Sequence, residues 1–177
     1  MRLDLLPHPS TANGPANEIR VEVERQGVAL SLSYNLKGDF DRIRIPPARA
    51  PLRADELWLH TCFEVFLKSP AEDAYLELNF SPGGEWAAYR FERYRSGRTE
   101  LEIPAPSISG QEGDGLLARR FTLEGLPSHR RWSIGLSAIV EDSEGERSFW
   151  ALAHPPGEPD FHHPDCFALE FPAAERP

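Results

Sequence analysis

Residues 58–91 read WLHTCFEVFLKSPAEDAYLELNFSPGGEWAAYRF, and this stretch decides the fold. Apolar side chains alternate with other residues along TCFEVFLK, AYLELNF and EWAAYRF, and the turn sequences SPAED and SPGG separate these runs. Such alternation predicts β-strands that bury one face and leave the other accessible to solvent or to a ligand. The stretch therefore predicts three consecutive strands with a row of aromatic, acidic and amide side chains on one face.

Alternating runs continue on both sides of this stretch. EIRVEVER and VALSLSYNL are separated by a Gln-Gly turn and predict a hairpin, and RWSIGLSAIVED and RSFWALA are separated in the same way by SEGE. The 17 prolines and 13 glycines suit short strands joined by turns. The pattern predicts an all-β protein, an antiparallel two-sheet β-sandwich of the immunoglobulin-like or jelly-roll type with about 9–10 strands.

The length of 177 residues suits one domain with a substantial core. The first clear alternating run begins at Glu18 and the last ends at Phe171. We therefore expect an N-terminal arm at residues 1–17, a single β-sandwich domain at residues 18–171 and a tail at residues 172–177.

Composition and charge restrict the partners. A chain that is 40% hydrophobic and 27% charged is globular, and a net charge of −9 argues against nucleic acid or an anionic membrane as the main partner.

No apolar run approaches the ~20 residues that span a bilayer, and Asp4 and Pro7 interrupt the N-terminal segment, which lacks the apolar region of a signal peptide. We expect a cytoplasmic protein, with Cys62 and Cys166 as free, partly buried thiols. Nothing in the sequence indicates the oligomeric state.

Glu64 and Glu77 are the first candidates for chemistry. Period two places both on the polar face of neighbouring strands. Side by side they would form a carboxylate pair of the kind that glycosidases use for acid–base work. Alternatively, each is a strand residue that faces solvent or pairs with an arginine, for which Arg42 and Arg90 are available.

Trp58, Trp86 and Trp150 are candidates for ligand contacts. Aromatic rings stack on the C–H faces of sugars, and carboxylate and amide groups between two rings would hold the hydroxyls. Alternatively, each Trp belongs to the core. The predicted ligand-binding residues are Trp58, His60, Glu64, Glu77, Asn79, Trp86, Arg90, Trp150 and His154.

The histidines do not have the spacing of a known metal site. His154, His162 and His163 fall within one proline-rich loop, and His60 precedes the central strand. A haem would require a pair such as His60 and His154, since Met1 is the only methionine. We predict no metal, no cofactor and no catalytic residue.

Three segments carry a resemblance to a known family. FEVFL, YLELNFSPGGEWAAYRF and WALAHPPGEPDFHHPDCFALEF resemble the bacterial DOMON-like proteins, which are related to the family 9 carbohydrate-binding modules. The resemblance spans residues 18–171 and implies a β-sandwich of two antiparallel sheets with a pocket for a sugar or a haem on one sheet.

In the sugar binders of that superfamily, two Trp rings clamp a terminal sugar, and a Glu a few residues after the first Trp assists. Trp58 and Glu64 match that order and spacing, and Trp150 is the candidate for the second ring. The chain departs from the haem branch because it lacks an internal methionine, and from the secreted sugar binders because no signal peptide is evident.

The sequence therefore predicts a non-catalytic domain that binds a small molecule, in the first place a saccharide. Three alternatives stay open. They are a protein-interaction or structural β-sandwich without a ligand, an acid–base enzyme that uses Glu64 and Glu77 with His60 or His154, and a haem-binding domain.

Overall fold

The alternating runs form strands in the computed structural model, which describes residues 1–127 and 130–173. In chain order the strands are β1 (Arg2–Pro7), β2 (Ala16–Gln26), β3 (Ala29–Gly38), β4 (Cys62–Lys68), β5 (Tyr75–Phe80), β6 (Trp86–Phe91), β7 (Thr99–Glu100), β8 (Ser107–Gly113), β9 (Leu116–Leu123), β10 (Trp132–Glu141), β11 (Arg147–Ala151) and β12 (Leu169–Phe171). The helical segments described are single 3₁₀ turns at Pro9–Thr11, Leu57–Leu59 and Pro164–Cys166. The described residues therefore confirm the all-β prediction.

The strands form one antiparallel sheet in the order β7-β6-β5-β4-β10-β11-β1-β2-β3-β9-β8, and β12 pairs with the end of β10. β1 joins the two halves of the sheet: Leu5 pairs with β2, whereas Leu6 and Pro7 pair with β11. The sheet curls into a half-barrel, and the predicted two-sheet sandwich is not confirmed. Curling brings its two halves face to face over one core.

The described part of the chain has twelve strands, more than the predicted 9–10. The segment expected to be an N-terminal arm contains β1, and residues 95–114, which have no clear alternating run, contain β7 and β8. In these strands the alternation of apolar and polar residues is weak because few of their side chains are buried. Leu5 is buried in β1, and no residue is buried in β7 or β8. Of the predicted tail, residues 174–177 lie outside the described part of the chain.

The core lies between the two halves of the curled sheet. Tyr34 on β3 stacks on Phe63 of β4 with ring centroids 4.6 Å apart, and Phe80 on β5 stacks on Phe121 of β9 at 4.5 Å. The buried Tyr34 hydroxyl donates a hydrogen bond to the backbone oxygen of Glu64 at 2.6 Å. Each of these fully buried rings contributes about 1.5–3 kcal/mol through removal from water.

A second apolar cluster covers the other face of β4–β6, β10 and β11. It includes Cys62, Phe66, Tyr89, Phe91 and Ile139. Consequently β5 is buried along its whole length and β4 everywhere but at its last residue. The polar row was expected to face solvent or a ligand directly, but residues of the loops before β4 and after β11, among them Leu57 and Phe161, pack onto this face.

Both cysteines are free, as predicted, and both are buried, which is more than the partial burial that was expected. Among the residues that the structure describes, no helix has the length and apolar character needed to cross a membrane.

Candidate ligand-binding site

A cavity of about 410 Å³ lies over the outer face of β4, β5, β10 and β11. Strand register determines its floor. Glu64 lies opposite Asn79 on one side and opposite Ser137 on the other, while Phe66 lies opposite Glu77. The cavity is lined by Trp58, Glu64, Phe66, Glu77, Phe91, Arg95, Arg98, Ile139, Arg147, Phe149, Pro159, Phe161 and His162.

The two carboxyl groups on the floor are buried, with 3% of Glu64 and 5% of Glu77 exposed. The Ser137 hydroxyl donates to Glu64 Oε2 at 3.3 Å, and the Asn79 amide donates to Glu77 Oε1 at 2.7 Å. Because Glu64 and Glu77 are diagonal neighbours on adjacent strands, their side chains interact. The register therefore brings Glu64 and Glu77 together on one face, which was the condition for a carboxylate pair.

Burial raises the pKa of both carboxyl groups. The pKa of Glu64 lies well above its ordinary value because burial, and then the nearby charge of Glu77, disfavour its ionised form. Burial also raises the pKa of Glu77, whereas the hydrogen bond from Asn79 and the charge of Arg98 act in the opposite direction. The environment thus favours a protonated Glu64, whose hydroxyl can donate a hydrogen bond.

Aromatic side chains form the walls. Trp58 lies on the 3₁₀ turn before β4, edge-on to Tyr89 with centroids 6.2 Å apart, and is only partly buried. Phe149 on β11 and Phe161 in the following loop meet at 6.0 Å on another wall. The Tyr89 hydroxyl donates a hydrogen bond to Asp55, which fastens the segment carrying Trp58 to β6.

Three arginines lie at the cavity, two of them in the turn between β6 and β7. Arg95 has a left-handed backbone, with φ 49°, and its guanidinium pairs with Asp160 at 2.8 Å. The guanidinium carbon of Arg98 lies 4.9 Å from the centroid of the Tyr89 ring. Arg147, at the start of β11, lies near Phe149, with its guanidinium carbon 5.9 Å from that ring centroid.

His162 connects the covering loop to the floor. Its Nδ1 lies 2.7 Å from the Tyr75 hydroxyl, and its Nε2 lies 3.7 Å from Glu77 Oε2. Burial, assisted by the charge of Arg95, lowers the pKa of His162 to about 4. A neutral imidazole therefore faces Glu77 at neutral pH.

Four of the predicted ligand residues belong to this site. Trp58, Glu64 and Glu77 line the cavity, and Asn79 supports Glu77 from the same face.

Trp86, Arg90 and Trp150 were expected here, but the register places them on the opposite face of the sheet. Glu77 lies opposite Tyr89, so Trp86 and Arg90 point away from the cavity. Trp86 and Trp150 belong to the core, and Arg90 lines a separate cavity of about 300 Å³. Neither Trp150 as a second clamping ring nor Arg90 as a partner for the carboxylates is therefore consistent with the structure.

His60 and His154 also lie away from the cavity lining. His60 Nδ1 lies 2.8 Å from Glu141 Oε2, and His154 Nε2 donates to the backbone oxygen of Leu6 at 2.8 Å. Within the described ranges, no group of three or more His, Cys, Asp or Glu residues is arranged to hold a metal ion.

Sequence reasoning missed the site residues that come from turns and loops. Arg95 and Arg98 flank the Ser96-Gly97 pair in the YRSGR segment, and the concentration of positive charge just after an aromatic strand was an available signal. For His162, the only signal in the sequence was its position in a proline-rich loop with two other histidines. Trp150 was predicted as a site residue, whereas Phe149, its neighbour on the other face of β11, was not.

Comparison with known proteins supports the fold. No protein-family model and no curated protein matches the chain. A crystal structure of a "putative carbohydrate-binding protein" from Bacteroides uniformis matches with a TM-score of 0.71 and 13% sequence identity, over 94% of this chain and 83% of that one. At this identity the likeness shows a shared β fold and nothing about the ligand.

Proposed function

We propose that this protein is a non-catalytic domain that binds a saccharide in the cavity between Trp58 and the Glu64–Glu77 pair. A buried polar pair beside a partly exposed indole is the observation that carries the proposal. A sugar ring offers an apolar C–H face to the indole and hydroxyls to the carboxyl groups. One protonated and one ionised carboxyl group would supply a donor and an acceptor for those hydroxyls.

The size and walls of the cavity are consistent with this proposal. Small-molecule sites usually measure about 300–1,000 Å³ and combine apolar walls with a few polar groups, and the cavity of about 410 Å³ has this character. The structural neighbour is itself described as carbohydrate-binding, which supports the same class of ligand. Membership of the DOMON-like proteins related to family 9 carbohydrate-binding modules is part of the proposal.

Titration calorimetry with a panel of mono- and disaccharides tests the proposal. At least one saccharide should bind, and Trp58→Ala should weaken its affinity about tenfold or more, since an aromatic stacking contact contributes about 0.5–1.5 kcal/mol beyond buried area. Leu59→Ala is the matched control, because Leu59 lies on the same turn, is 45% exposed and does not line the cavity. If no saccharide binds at millimolar concentration, the proposal is wrong.

The carboxylate pair favours one second candidate, an acid–base enzyme. A carboxyl group with a raised pKa beside a second carboxyl group is the usual arrangement for such chemistry. Incubating the protein with each saccharide that binds, followed by chromatography, separates the two functions. Unchanged saccharide supports binding alone, whereas turnover that Glu64→Gln abolishes identifies an enzyme.

A further inference from the structure

We propose that the cavity selects saccharides that carry an anionic group, a carboxylate or a phosphate. This inference rests on the proposed saccharide-binding function and specifies its ligand class. The chain has 28 acidic and only 19 basic residues, yet three of those basic residues, Arg95, Arg98 and Arg147, line this one cavity. A concentration of positive charge in an acidic protein creates a local field that attracts an anion.

Two of the three arginines are available to a ligand. Within residues 1–127 and 130–173, Arg95 is paired with Asp160, but neither Arg98 nor Arg147 forms an ion pair. Both are exposed. A ligand anion would therefore not have to displace a protein carboxylate from them.

The way these arginines are held suits recognition of an anion. The guanidinium of Arg98 lies over Tyr89 and near Trp58, with its carbon 4.9 Å and 5.8 Å from the two ring centroids. The guanidinium of Arg147 lies beside Phe149, and one of its nitrogens donates to the backbone oxygen of Trp58 at a long 3.4 Å. Contact with a ring face fixes a guanidinium and leaves N–H groups at its edge, which match the oxygens of a carboxylate or phosphate.

The floor of the cavity is compatible with such a ligand. Glu64 and Glu77 would repel an anion if both were ionised, but burial and their mutual repulsion favour a protonated Glu64. The arginines are exposed, whereas the two carboxyl groups are buried. The sugar hydroxyls can therefore meet the carboxyl groups while the anionic substituent stays with the arginines.

Matched pairs of ligands test this inference. Calorimetry compares glucose with glucuronate and with glucose 6-phosphate, and galactose with galacturonate, with acetate and inorganic phosphate as free anions. At low salt, an acidic sugar should bind at least about tenfold more tightly than its neutral partner, the effect of one charge-assisted hydrogen bond. This ratio should fall from about 0.01 M to about 1 M salt, where the screening length shortens from about 30 Å to about 3 Å.

The ratio of acidic to neutral affinity is also the readout for variants. Arg98→Gln should reduce it, while Arg90→Gln should leave it unchanged, because Arg90 is an exposed arginine near the same turn but on the opposite face of β6. The carboxylate and phosphate arms show which anionic group is preferred. Equal affinity for neutral and acidic sugars would overturn the charge selectivity and leave the saccharide proposal standing. Binding of the free anions without any sugar would overturn both.

Discussion

Replacing His162 with Gln should remove a pH-dependent part of the stability of the folded protein. The Tyr75 hydroxyl accepts the backbone N–H of Arg95 at 3.1 Å, so its single proton is free for His162 Nδ1 at 2.7 Å. Nδ1 is then an acceptor, and the neutral ring carries its proton on Nε2. Protonation of Nδ1 would break the hydrogen bond from the Tyr75 hydroxyl, and it would place a charge in a site where only 15% of the His162 side chain is exposed.

The expected magnitude follows from the pKa of His162, which burial and the charge of Arg95 lower from 6.5 to about 4. At about 1.36 kcal/mol per pH unit, this difference corresponds to about 3 kcal/mol. The folded protein has the lower pKa, so the unfolded chain takes up a proton first as the pH falls. The contribution is therefore fully present above pH 6.5 and is lost as the pH falls through about 4.

Urea unfolding of the parent protein and of His162→Gln, measured at several values between about pH 4 and pH 8, tests this linkage. The stability difference between the two proteins should favour the parent by about 3 kcal/mol more at the upper end of that range than at the lower end. Glu64 and Glu77 titrate in both proteins, so comparing the two isolates the effect of the histidine.

Phe91→Leu is the matched control, because the Phe91 ring packs against His162 with centroids 5.2 Å apart and has no proton to exchange. Its stability difference from the parent should depend on pH much less than that of His162→Gln, because the imidazole that titrates is still present. A pH-independent difference for His162→Gln would refute the reasoning, since it would mean that folding does not change the pKa of His162.

Three further predictions concern stability. Glu64→Gln should gain stability relative to the parent as the pH rises above about 4.5, because burial and Glu77 raise the pKa of Glu64 in the folded protein, so the unfolded chain loses its proton first; a difference between the two proteins that stays the same in thermal melts at mildly acidic and at alkaline pH would contradict the raised pKa. Phe63→Ala should cost about 3–5 kcal/mol because it empties the stacking position against Tyr34, and a loss below about 1 kcal/mol in urea unfolding would contradict this packing. Gly84→Ala should cost more than about 1 kcal/mol, since the backbone has φ 115° and a Cβ would lie 2.5 Å from a backbone oxygen; unchanged stability would contradict the turn geometry.

The sequence could predict the parts of the site that depend on alternation within a strand. Glu64 and Glu77 lie on one face because each belongs to a short strand with clear period-two alternation. In β6 the same reasoning failed. EWAAYRF places large apolar residues in both phases, and a strand buried on both faces carries no internal signal for which residue points where. Trp86 was consequently assigned to the wrong face.

The remaining site residues could not be predicted because they are brought together by long-range packing. His162 meets Tyr75 across 87 positions of the chain, and Arg95 meets Asp160 across 65. No local pattern encodes such contacts. The curl of the sheet has the same origin, since β1 joins its two halves by pairing with strands on both sides.

The central claim is that a saccharide binds beside Trp58, and the NMR signals of the four indole N–H groups test it most directly. Trp86, Trp132 and Trp150 are buried in the core, whereas Trp58 lines the cavity. During titration with glucuronate and glucose, the signal that is missing in Trp58→Phe should shift saturably while the other three stay in place. Unchanged indole signals at saturating saccharide, or a shift confined to a core tryptophan, would contradict the proposed site.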